Sequence, residues 1–159
     1  VLKYLILFLV LCTPVYAQDT AQITSFAKLH VMSFNPNDGS KLELTIKKDK
    51  SVELVINKTS PEDLNYKRSY TLKIEAKLLD EEFDKVIDGM KKVDFNTIPL
   101  ILQGVHSMAQ NISVSFYTGD TWQCQGFSSE LGNYGEYKER VEPLIGTLSN
   151  IILRLRALQ

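Results

Sequence analysis

Two short runs of alternating residues, separated by three polar ones, constrain the fold of this chain more than anything else in it. Leu42, Leu44 and Ile46 alternate with Lys41, Glu43, Thr45 and Lys47, and after Lys48-Asp49-Lys50 the residues Val52, Leu54 and Ile56 repeat the period. A period of two belongs to a strand with one face buried and the other in water. Loop length then sets the register. With Lys48, Asp49 and Lys50 as the loop, Ile46 pairs with Val52 and Leu44 with Leu54, and both apolar rows fall on one face; a two-residue loop would oppose Ile46 to Glu53.

The same reasoning extends along the chain. Phe26 to Phe34 reads as a strand, followed by a dense turn signal in Asn35-Pro36-Asn37-Asp38-Gly39-Ser40. After a break at Thr59 to Asp63, Tyr70, Leu72, Ile74 and Ala76 mark a strand whose other side carries Thr71, Lys73, Glu75 and Lys77. Leu79, Phe83, Val86, Ile87, Met90 and Val93 recur at helical spacing, which predicts a helix over 80–92 with Asp80 as its N-cap and Glu81 and Glu82 at its positive end. The segment Asn96 to Gln110, with Ile98, Leu100, Ile101 and Leu102, is too apolar for a freely solvated loop and should pack on something.

A second hairpin is expected from Ile112, Val114 and Phe116 on one strand and Trp122 and Cys124 on the next. If Tyr117-Thr118-Gly119 forms its loop, Val114 faces Trp122 and Ile112 faces Cys124. Tyr137, Val141, Leu144, Ile145, Leu148, Ile151, Ile152 and Leu155 then give a final helix, which Pro143 must either start or kink. The order ββββαββα predicts an α+β domain: a single antiparallel sheet of about six strands with two helices packed on one face.

Residues 1–17 read differently. Lys3, the apolar run Tyr4 to Leu11 and the small-residue exit Thr13-Pro14-Val15-Tyr16-Ala17 have the pattern of an export signal, with cleavage between Ala17 and Gln18. The apolar core is about half the roughly 20 residues a membrane-spanning helix needs. No stable membrane anchor is therefore expected after cleavage, and Leu11 before Cys12 argues against lipidation. The chain opens on Val1, consistent with a truncated start or a non-standard start codon. Residues 18–159 make one domain, able to bury roughly 68% of the unfolded chain's surface. The expected location is periplasmic or extracellular, in a bacterial host.

Composition then removes several classes of function. The net charge is −1, which offers no electrostatic reason to bind nucleic acid or an anionic membrane. With two histidines and two cysteines, one of them in the leader, zinc sites built from several Cys and His are nearly excluded, and neither a metal nor a cofactor is expected. Cys124 is left without a disulfide partner. Nucleotide, serine-hydrolase and metalloprotease motifs are all missing.

A hydrolase with Cys124 as nucleophile and His106 as base, oriented by Asp120, is the sharpest enzymatic reading. The predicted register opposes it, because burial of Cys124 would raise its thiol pKa. A neutral polar patch is the better candidate for recognition: Ser113, Ser115, Gln123 and Gln125, with Tyr117 and Phe127 nearby. Such groups can be buried against a partner without desolvating ions. Ile98 to Leu102 and the aromatic stretch at Tyr134 and Tyr137 are candidates to border it. Asn57-Lys58-Thr59 and Asn111-Ile112-Ser113 match the N-glycosylation acceptor, which matters only in a eukaryotic secretory route, and Thr20 lies in a short O-glycosylation-like sequence. The leading expectation is an exported, non-catalytic module that binds a protein, as an inhibitor, immunity-like or envelope accessory protein; a carrier of a small apolar ligand between sheet and helices is a third reading.

Overall fold

A computed structural model of the chain describes residues 26–59, 69–102, 110–117 and 124–158. The proposed leader, Thr20, His106, Asp120, Trp122 and Gln123 lie outside these residues. The elements are β1 (Lys28–Asn35), β2 (Ser40–Lys47), β3 (Ser51–Thr59), β4 (Ser69–Lys77), α1 (Asp80–Val93), β5 (Asn111–Tyr117), β6 (Cys124–Glu130), a 3-10 turn (Gly135–Tyr137) and α2 (Lys138–Arg156). The strands form one sheet in the order β4-β3-β2-β1-β5-β6, antiparallel at every step. The α+β class, the antiparallel sheet and the ββββαββα order are therefore as the sequence predicts. No described helix is long and apolar enough to cross a membrane.

The alternating rows explain why the helices sit where they do. Leu29, Val31, Leu44, Ile46, Val52, Leu54, Ile56, Ile112, Val114, Phe116 and Phe127 are buried together with Val86, Met90 and Val93 of α1 and Val141, Leu144, Leu148, Ile151 and Leu155 of α2. One row from each strand and one stripe from each helix thus share a single core, and the other row of each strand faces away from it.

The hairpin between β2 and β3 closes as its loop length requires, with Ile46 opposite Val52 and Leu44 opposite Leu54. Lys50 ends the loop in the left-handed region, φ 66°, where glycine is usual. Its side chain is engaged elsewhere: the ammonium donates to Asp80 Oδ1 (2.9 Å) and lies 5.5 Å from the centroid of the Phe83 ring. The turn is thereby tied to the start of α1.

The cap of α1 differs from the expectation by one residue. Leu79 occupies the N-cap, and its N–H donates to Glu82 Oε2 (2.9 Å), while Asp80 is already in the first turn. The carboxylate at N3 accepts the N–H of the N-cap residue, the half of a capping box that a leucine N-cap leaves available. At the far end Asp94 turns left-handed, φ 48°. There the Arg140 guanidinium of α2 donates to the carbonyls of Val93 and Asp94 and to Thr97 Oγ1. A cation on exposed C-terminal carbonyls satisfies acceptors the helix leaves open. Arg140→Ala should lower stability by about 1 kcal/mol in urea titrations. Helix α2 begins before Pro143 and runs through it, so the proline does not start it. The 3-10 turn ahead of α2 supplies the entry instead.

Several exposed carboxylates are held below their ordinary range, each mainly by a hydrogen bond: Asp38 by Ser40, Glu43 by Lys41, Asp49 by Ser51, Glu75 by Lys73, Asp80 by Lys50 and Glu81 by Lys85. A carboxyl with a depressed pKa in the folded state binds fewer protons there than when unfolded. Its contribution is complete above the unfolded value, about pH 4, and is lost as pH falls through the folded value. The melting temperature should accordingly drop on acidification below about pH 4, and added salt should weaken the dependence. Melts followed by circular dichroism at stepped pH check this.

Candidate functional site

The sheet face opposite the helices carries the polar rows, and no described element covers it. It has two distinct halves. Across β2, β3 and β4 it is a ladder of opposite charges: Lys41 bonds Glu43 (2.6 Å), and Lys73 sits between Glu53 (2.9 Å) and Glu75 (2.7 Å). The two carboxylates push the Lys73 ammonium pKa up. Such pairs leave few unpaired ions and present a strongly solvated surface.

Across β1, β5 and β6 the face is uncharged between Lys28 at one end and Glu130 at the other. The register puts His30 beside Ser115, Met32 beside Ser113 and Phe34 beside Asn111. On the next strand Gly126 stands opposite Ser115 and Ser128 opposite Ser113, and the two hydroxyls of Ser113 and Ser128 are hydrogen-bonded (2.7 Å). Phe34 is 43% exposed, a large apolar ring left in water beside these small polar groups. Tyr117 closes the row, with the Lys28 ammonium 5.4 Å from its ring centroid. His30 Nε2 lies 3.6 Å from Glu43 Oε2, at the boundary between the two halves.

Gly126 marks where β5 and β6 approach closely on this half. A Cβ there would lie 2.2 Å from the Val114 carbonyl oxygen and 2.9 Å from Ser115 Cα, so the close approach of β5 and β6 requires glycine. The outer edge of β6 is met by the apolar segment that follows α1. Leu102 N–H donates to Ser128 O (3.0 Å) and Ser128 N–H to Leu100 O (2.7 Å), forming a parallel bridge at Ile101. Ile98 and Leu102 are buried, whereas Leu100 and Ile101 are 74% and 63% exposed at the rim of the neutral half.

The structure brings Ser113, Ser115 and Tyr117 onto this face and rearranges the rest of the predicted patch. The β5–β6 register pairs Val114 with Phe127 and Tyr117 with Cys124, in place of Val114 with Trp122 and Ile112 with Cys124. The described parts of the two strands end at Tyr117 and begin at Cys124, and their register differs from the expected one by an odd number, which exchanges the two faces of β6. Phe127 therefore lies in the core, 3% exposed, with its ring stacked 6.1 Å from that of Phe95. In register, Gln125 stands opposite Phe116 and Cys124 opposite Tyr117, which differs from the predicted placement of Ile112 against Cys124. Met32, Phe34 and Ser128 are members of this face that the sequence did not single out; they join it through the β1–β5 and β5–β6 registers.

Tyr134 is likewise buried in the core, where burial raises its phenol pKa, and Tyr137 packs against the core beneath the Arg140 guanidinium. Neither borders the patch. Both acceptor asparagines of the glycosylation-like sequences lie in strands, and Asn57 Oδ1 already accepts from Thr71 Oγ1 (2.7 Å).

No known family model matches this sequence, and no curated protein shows significant similarity to it.

Proposed function

We propose that this chain is an exported, non-catalytic protein that binds a protein partner on the outer face of β1, β5 and β6. The observation that supports the reading is the contrast within one face: charge ladders over β2 to β4, and an uncharged half carrying Met32, Phe34, Ser113, Ser115 and Ser128. Neutral hydroxyls and an exposed aromatic ring suit a contact that must shed water, because neither an ammonium nor a carboxylate has to be desolvated. An inhibitor, immunity-like or envelope accessory role fits a small domain that presents an uncharged sheet half of this kind. Export is part of the same proposal: the mature chain starts at Gln18, which sequencing of the N-terminus from the native host would test, and an unprocessed chain retained in the cytoplasm would overturn it.

The binding test is comparative. A photo-crosslinking residue placed at Ser115 in the exported protein should capture one stoichiometric partner in the native host, while the same residue at Glu53 should not. Met32→Glu with Ser115→Glu should weaken that partner's binding at least about tenfold with the circular dichroism spectrum unchanged. Equal capture from both positions, or unaltered affinity of the variant, would remove the neutral half as the binding surface.

A further inference from the structure

Strand β4 ends the sheet, and among the described residues no strand pairs with its outer edge. The neighbouring turn fixes which of its backbone groups are free of the sheet. Leu78 N–H donates to Lys50 O (2.9 Å), so the even-numbered residues of β4 turn their N–H and C=O groups toward β3. The groups of Thr71, Lys73, Glu75 and Lys77 consequently point outward. An exposed row of this sort is a template for another strand.

A second copy of the same strand can meet this edge antiparallel about a two-fold axis, provided outward-facing odd residues oppose odd residues. That condition leaves few registers, and charge separates them. With the axis at Lys73, two lysines face each other; with the axis at Glu75, two glutamates do. With the axis at Ile74, Lys73 opposes Glu75 of the second copy, Glu75 opposes its Lys73, and Thr71 opposes its Lys77. On the helix side the same register sets Ile74 against Ile74 and Leu72 against Ala76, three positions that are only partly covered within one chain. Moving the axis on to Ala76 keeps one complementary pair type, Glu75 with Lys77, but shortens the ladder because α1 begins at Asp80.

We propose that two copies of this chain pair through β4, antiparallel about an axis at Ile74, so that both sheets become one and the helices of both copies lie on the same side. This goes beyond the binding reading above, which concerns the other half of the sheet and can fail or hold independently. Sedimentation equilibrium of the full chain over a wide concentration range should show a reversible dimer. Lys73→Glu and Glu75→Lys, each alone, place like charges opposite one another and should raise the dimer dissociation constant at least about tenfold. Mixed in equal amounts, these two variants regain complementary pairs and should associate with each other, and the double exchange K73E/E75K should dimerise as the parent does. Thr71→Pro removes an outward N–H, leaves the backbone ladder with β3 intact at the loss of the Thr71 Oγ1 bond to Asn57, and should give a folded monomer. A parent chain that stays monomeric at all concentrations, or a dimer unaffected by the single charge changes, overturns the proposal.

Discussion

Gly89→Ala is expected to destabilise the protein by about 1–3 kcal/mol, although alanine is the best helix former and glycine among the worst. The reason is the distance between the helices. A Cβ on Gly89 of α1 would lie 2.9 Å from Leu144 Cα and 3.1 Å from Leu144 Cβ on α2. The nearest atom is backbone, so relief requires one helix to shift against a packed core. Gly146, on α2, is the control of opposite sign. It is exposed, and a Cβ there meets nothing within 4 Å. Gly146→Ala should therefore stabilise by about 0.5–1 kcal/mol, through helix propensity and a less flexible unfolded chain. Urea unfolding of the two variants side by side measures both; a Gly89→Ala variant as stable as the parent would mean that the helix contact does not depend on Gly89.

Glu82→Ala should cost about 2–3 kcal/mol, more than an ordinary surface ion pair contributes. Glu82 does two things at once. Its carboxylate accepts the Leu79 N–H at the start of α1, and it takes both arms of the Arg154 guanidinium from α2, Nε to Oε1 at 2.6 Å and Nη2 to Oε2 at 2.7 Å. The side chains are 20% and 30% exposed, respectively, which places the pair between the surface and buried extremes. Removing the glutamate leaves a half-buried guanidinium and an open helix N-terminus. Glu82→Gln keeps an acceptor for Leu79 and should cost about half as much. A double-mutant cycle with Arg154→Ala should return a coupling of about 1–2 kcal/mol. A coupling near zero would mean that the fork contributes geometry without energy.

The β2–β3 register was readable because everything that sets it is local: three loop residues and two alternating runs that must share a face. The β5–β6 register was not, because the sequence Tyr117-Thr118-Gly119-Asp120-Thr121-Trp122 offers more than one place for a turn, and each choice sets a different register. In that case the decisive constraint is the hydrophobic row, and Phe127 joined the core by pairing with Val114. The candidate patch suffered the same exchange. Ser113, Ser115 and Tyr117 kept their places on the outer face because their strand alternates cleanly, whereas the residues assigned to the partner strand depended on the loop. The pairing of β1 with β5 has no sequence signal at all, since α1 and its following segment separate them. The N-cap was missed for a related reason: Asp80 has the preferred chemistry for a cap, but Glu82 reaches back to Leu79 and makes Asp80 free to hold Lys50.

The position of β1 at the joint of the sheet has a consequence for how the chain acquires its structure. On one side of β1 every neighbour follows in order through short turns or a single connection, so β1 to β4 can form as a meander from contacts near in sequence. On the other side, Val31 must find Val114, across the whole meander and α1. Closing so large a loop is entropically unfavourable until the reward of a completed core is available. On contact order, the β5–β6 ribbon should dock last. Substitutions in the β2–β3 hairpin should act mainly on the folding rate, whereas those in β6 should act mainly on unfolding.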